Sequence, residues 1–87
     1  MHQFQPLPLA TDRKTDWFRI IIDLERNGYS HASIAASVGV GKTTVHGWKM
    51  GSEPRHDDGE LLIMLWRMVT LNGRDSVPTV PRYSHLA

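Results

Sequence analysis

The chain has 87 residues, no cysteine and a formal net charge of +1. That allows one small domain, with neither a disulfide framework nor a cysteine-ligated zinc site to stiffen it. Its longest uninterrupted apolar run, Leu61 to Trp66, is far below the ~20 residues that span a bilayer, and residues 1–10 lack the basic-then-apolar pattern of a secretory signal. A soluble, intracellular, cytoplasmic protein is expected, of modest stability and helped by oligomerisation. Charge is unevenly distributed. Lys42, Lys49 and Arg55 oppose only Glu53 in one stretch, with His46 among them, whereas Asp16, Asp23 and Glu25 outweigh Arg19 in another. A neutral body with one basic face suits a nucleic-acid-binding module.

Residues 1–15 contain Pro6 and Pro8 and no helical period, which predicts an extended N-terminal arm. The first helix starts near Asp16, capped by Thr15 or Asp16. Trp17, Ile20, Ile21 and Leu24 recur at helical spacing, and Asn27-Gly28 supplies the left-handed stop. Ser30 caps a second helix, with Tyr29 placed to staple onto Ile34. Ile34, Ala35 and Val38 form its apolar stripe, and Gly39 ends it. A third helix is predicted from Lys42 to Met50, with Val45 and Trp48 inward. Asp57 and Glu60 read as a capping box for a fourth helix, apolar through Leu61–Leu71 and closed by Asn72-Gly73. Pro78 and Pro81 forbid a further helix. The expected fold is all-α: four short helices with a central helix-turn-helix, arms at residues 1–15 and 74–87, and a DNA-binding domain at 16–73.

Residues 29–50 carry the functional signal. Two helices meeting at a sharp angle need a small residue where they approach, a residue tolerant of positive φ between them, and apolar side chains in the crook. Ala35, Gly39, and Ile34, Val38, Val45 and Trp48 meet those needs. Counted from His31, residues Ala35, Gly39, Val45 and Trp48 occupy positions 5, 9, 15 and 18 of a helix-turn-helix. Residues 16–71 resemble the lambda-repressor/Cro-type helix-turn-helix family, including the linker Gly51-Ser52-Glu53-Pro54 and the apolar fourth helix. Two features depart from it: the prolines exclude the fifth helix that often dimerises family members, and Gly41 stands where Ser or Thr usually opens the recognition helix.

The resemblance implies that Lys42, Thr43, His46 and Gly47 face the major groove and that His31 and Arg55 touch phosphates. Lys49 joins the phosphate set by its place on the motif's flank. A cation at a helix N-terminus opposes the macrodipole by roughly 0.3–1 kcal/mol, which a phosphate or a guanine edge would offset for Lys42. Gly47 costs about 1 kcal/mol relative to Ala inside a helix, so close approach to DNA is a candidate reason for it.

Other patterns have simpler explanations. Ala36-Ser37-Val38-Gly39-Val40-Gly41-Lys42-Thr43 imitates a phosphate-binding loop, but that chemistry needs a preceding strand and a sheet this chain has no room for. Asp57, Asp58 and Glu60 are explained by helix capping. The five histidines show no i, i+4 pairing, which argues against a zinc site. No Ser/His/Asp arrangement is oriented for catalysis, and neither a cofactor, a metal nor a small-molecule substrate is expected.

The apolar surplus points to self-association. Leu61, Leu62, Leu65, Met68 and Val69 suffice for the core face of the fourth helix, leaving Ile63 and Trp66, with Val77 and Val80 of the C-terminal arm, as the expected homodimer interface. Phe18 and Ile22 form a second surplus pair on the first helix. The alternative is that both arms fold back over these residues. The expected function is sequence-specific binding of double-stranded DNA by a small phage or bacterial transcriptional regulator, of repressor type, reading an inverted repeat as a homodimer. Two further classes fit the sequence: a DNA-processing accessory, such as a terminase small subunit or transposition factor, and a protein-interaction module such as an antitoxin.

Overall fold

The computed structural model describes residues 12–82. In chain order it contains strand β1 (Arg13–Thr15), helices α1 (Trp17–Arg26), α2 (His31–Val38), α3 (Lys42–Lys49) and α4 (His56–Thr70), a 3₁₀ turn (Arg74–Ser76) and strand β2 (Thr79–Pro81). The fold is mostly α, with one small two-stranded sheet.

The first three helices begin and end where local chemistry dictates. Asp16 caps α1, its carboxylate accepting from the Arg19 N–H at 3.0 Å, and Gly28 turns the chain at φ +92°. Ser30 and Ser33 cap each other's backbone: the Ser33 N–H donates to Ser30 Oγ at 3.1 Å and the Ser30 N–H to Ser33 Oγ at 2.8 Å. Gly39, at φ +87°, sends its own N–H and that of Val40 back to the Ala35 carbonyl at 2.8 and 3.0 Å. That pairing closes α2 and frees the chain to begin α3 three residues later.

One core joins all four helices. Ile20, Ile21 and Leu24 from α1, Ile34, Ala35 and Val38 from α2, Val45 and Trp48 from α3, and Leu62, Ile63 and Trp66 from α4 are buried together. Trp17, Tyr29, Val40 and Val77 cover its edges. Gly59 is the close-approach point. A Cβ there would stand 2.9 Å from Trp17 Cη2, so only glycine lets the indole lie against the first turns of α4.

The register of α4 corrects the sequence expectation. Ile63 and Trp66, assigned to a dimer interface, are 6% and 3% exposed and belong to the core, while Leu61 and Met68, assigned to the core, are 43% and 68% exposed. Gly59, Leu62, Ile63 and Trp66 follow the i, i+3, i+4, i+7 spacing of one face. Trp66 anchors that face, because its indole N–H donates to Asp23 at 3.0 Å. Val77 packs on the core and Val80 is half-buried in β2, so all four residues expected between protomers are engaged within one.

The ends of α4 also differ. Arg55 is the N-cap and makes no side-chain cap bond. Glu60 closes no capping box; it takes the Arg74 guanidinium at 2.8 and 3.0 Å. Leu71, at φ +60°, ends the helix in place of Asn72-Gly73.

The C-terminal arm, expected to be extended from residue 74, begins with the 3₁₀ turn, and only Thr79–Pro81 of it and Arg13–Thr15 of the N-terminal arm are strands, paired with each other. β1 and β2 run antiparallel, with Arg13 opposite Pro81, Lys14 opposite Val80 and Thr15 opposite Thr79. Arg13 ties the pair, its guanidinium donating to the Thr79 hydroxyl and carbonyl, each at 3.0 Å. The Asp16 N–H donates to the Pro78 carbonyl at 2.8 Å, and the Arg82 N–H to the Asp12 carbonyl. Proline forbids helix here but is tolerated in a ribbon with open edges. The outer parts of both arms, residues 1–11 and 83–87, lie outside the described residues.

The α4 register predicts a sharp contrast between neighbours. Ile63→Ala should cost about 2–4 kcal/mol and Met64→Ala no more than about 0.5 kcal/mol, measured by urea unfolding. Equal costs would contradict this register.

Candidate nucleic-acid interface

The turn Gly39-Val40-Gly41 sets α3 against α2, with Val45 and Trp48 turned into the core. The opposite side of α3 is therefore presented outward, and Lys42, Thr43, His46 and Met50 are exposed along it. Three of the four residues expected at base edges are exposed on this face. Among the described residues Lys42 has no ion pair or hydrogen bond through its side chain. Gly41, the N-cap, offers no side-chain acceptor, so the first amides of α3 have no capping partner. Such a terminus favours an anion.

Gly47, one turn after Thr43 on the same side of α3, is less exposed. It is half-buried, and a Cβ there would meet Ser52 Oγ at 3.7 Å. Its carbonyl accepts from the Ser52 N–H at 2.9 Å. The linker thus folds back over the end of α3 and partly covers this position.

His31 and Lys49, expected on phosphates, are held internally by Glu25. The Lys49 ammonium lies 3.0 Å from both Glu25 oxygens and His31 Nε2 lies 2.8 Å from one of them. The carboxylate thus joins the last turn of α1 to the start of α2 and the end of α3. Partial burial pushes the Glu25 carboxyl up, but hydrogen bonds from Lys49 and His31, together with their charges, outweigh it and leave the pKa below its ordinary value. The His46 ring lies 5.6 Å from that of His31, tilted by 50°. Arg55, at the N-cap of α4, is exposed and has no ion pair among the described residues. Lys42 and Arg55 are therefore the cations of this stretch left open to an external anion.

Glu25 and Asp23 were not singled out by the sequence. Their partners lie up to 43 residues away, as for Asp23 with Trp66, and no local spacing announces such a contact. Asp23 also holds Arg19 at 3.0 Å, one helical turn earlier.

The remaining motifs assemble no chemistry. Residues 36–43 run from the end of α2 through the turn into α3, with a helix and not a strand before them. Asp57 and Asp58 lie in the first turn of α4, where negative charge complements the helix dipole. Among the described residues no cluster of three or more His, Asp or Glu side chains is placed to hold a metal ion. A groove of about 290 Å³ between β1, α1 and the end of α3 is walled mainly by Trp17, Phe18, Trp48, Met50 and Val80.

No protein-family model, no curated protein and no solved structure matches the chain. Among the described residues no helix is long and apolar enough to cross a membrane.

Two outcomes follow from this geometry. In the unfolded chain the Glu25 carboxyl titrates near 4.5, and in the folded protein it titrates lower. Its stabilisation is therefore complete above pH 4.5 and fades as pH falls through the folded value. Glu25→Gln should lower stability at pH 7 by about 1–2 kcal/mol and flatten the acid limb of melting temperature against pH. An unchanged limb would contradict the three-way contact. Gly47→Ala meets only ordinary van der Waals contact, and should stabilise α3 by up to about 1 kcal/mol in thermal unfolding. A destabilised variant would show that this position has no room for a side chain.

Proposed function

We propose that the protein binds double-stranded DNA through α3 and acts in the cytoplasm as a small transcriptional regulator of the bacterial or phage type. The observation that carries this reading is the outward face of α3, where Lys42, Thr43 and His46 are exposed together beside an uncapped helix N-terminus. A helix in this setting fits the major groove, where a lysine donates to guanine O6 and N7 and a threonine pairs with several base edges. Arg55, one linker further on, supplies a phosphate contact that fixes orientation without reading sequence. Lys49 and His31 support the interface from behind, by holding α3 and α2 on Glu25.

The likeness to the lambda-repressor/Cro-type arrangement supports repression as the mode of control. A homodimer would read an inverted repeat with half-sites about one helical turn, roughly 10 bp, apart. No catalytic role is assigned to any residue, and the ligand of this reading is the duplex alone.

Selection from a random duplex library, run in parallel on wild type and Lys42→Ala, tests the proposal. Wild type should enrich a two-fold symmetric consensus. Lys42→Ala should lose about 1–3 kcal/mol of discrimination at one position of each half-site. Arg55→Ala should weaken all sequences alike and reduce the salt slope by about one unit. Absence of enrichment at moderate salt would overturn the reading in favour of a protein-interaction module.

A further inference from the structure

The core of the monomer accounts for one face of α4 and leaves the other without a partner among the described residues. Leu61, Met64, Met68 and Leu71 are 43%, 55%, 68% and 88% exposed. Leu61, Met64 and Met68 recur at intervals of three and four, the spacing by which a helix presents a seam to another helix, and Leu71, at the left-handed end of α4, lies beside Met64 and Met68. The stripe runs from Leu61 to Leu71, roughly 15 Å, and no charged residue interrupts it. Arg67 borders it, and a shallow depression runs beside Met64, Arg67, Met68 and Leu71.

We propose that this stripe is the homodimer contact, formed by antiparallel packing of α4 on the α4 of a second copy. The order of the side chains favours a copy of this same chain over an unrelated partner. A two-fold axis at the level of Trp66 brings Leu61 opposite Leu71 of the second copy and Met64 opposite Met68, so every apolar group meets an apolar group. A closed two-fold contact needs that self-complementarity. The methionines at its centre adapt to fill the gaps between two curved surfaces.

The exposed area of these four side chains is about half of the ~800 Å² each partner gives to a standard interface. An interface of that size is small, and the dimer is expected to be weak in the absence of DNA. What the dimer would read rests on the DNA-binding proposal above; the pairing itself does not. α3 and α4 both pack on α1 and α2, so α4 can pair through its outer face while α3 keeps its own outward face.

The chain has no cysteine, so single cysteines report pairing cleanly. Met64→Cys and Met68→Cys proteins, mixed and oxidised without DNA, should give the crossed disulfide dimer several-fold faster than either protein alone. Sedimentation equilibrium of wild type should approach twice the 9.9 kDa monomer mass as concentration rises. The Met64→Glu/Met68→Glu double variant should stay monomeric, its dissociation constant raised more than about tenfold, while circular dichroism at a concentration where wild type is also monomeric shows an unchanged melting transition. A wild type that stays monomeric up to about 500 µM would overturn the proposal, as would faster linking between like variants or a double variant that dimerises normally. Binding of the double variant to a single half-site separates this outcome from failure of the DNA-binding reading, because that reading requires half-site affinity to survive.

Discussion

What α3 presents to the outside is decided by what it hides. Val45 and Trp48 enter the same core as Ile34, Ala35 and Val38, and the left-handed backbone at Gly39 lets the chain reverse within three residues. Burying two side chains of an eight-residue helix fixes its rotation about its own axis, since residues three and four apart share a face. Lys42, Thr43 and His46 point outward as a consequence. Short helices are marginal alone, so this face exists only because the core beneath it is complete.

Electrostatics adds a second constraint on the same unit. Glu25 draws together side chains from α1, α2 and α3 in a half-buried setting, where charge-assisted hydrogen bonds are stronger than on an open surface. The contact uses two of the basic groups that composition alone would assign to a ligand. Lys42 and Arg55 remain available to an external anion. A basic stretch in a sequence therefore overstates the charge a partner meets whenever an acidic helix packs behind it.

The positions of the first three helices were legible because their ends are written in residue types with specific roles: Asp16 and Ser30 as caps, Gly28 and Gly39 at positive φ. The crook of the helix-turn-helix was equally legible, since few arrangements place Ala35, Gly39, Val45 and Trp48 in that register. α4 was harder to read. It is apolar on most of its circumference, so periodicity could not choose between the face of Leu62, Ile63 and Trp66 and the face of Leu61, Met64 and Met68. Two long-range contacts made the choice: the indole of Trp66 on Asp23, and the indole of Trp17 on Gly59. The β1–β2 ribbon was hidden for a related reason. Three residues at each end pair across 66 positions of sequence, and neither triplet alone carries a strand signal beyond its extended backbone.

The proposed contact between the outward face of α3 and DNA underlies every other functional statement. Amide chemical shifts recorded while a selected duplex is titrated into the labelled protein at low salt test it most directly. The largest changes are expected at Lys42, Thr43 and His46, with a second group near Arg55, while the outer face of α4 is affected far less. Changes confined to α4 or the ribbon, with α3 unperturbed, would contradict it.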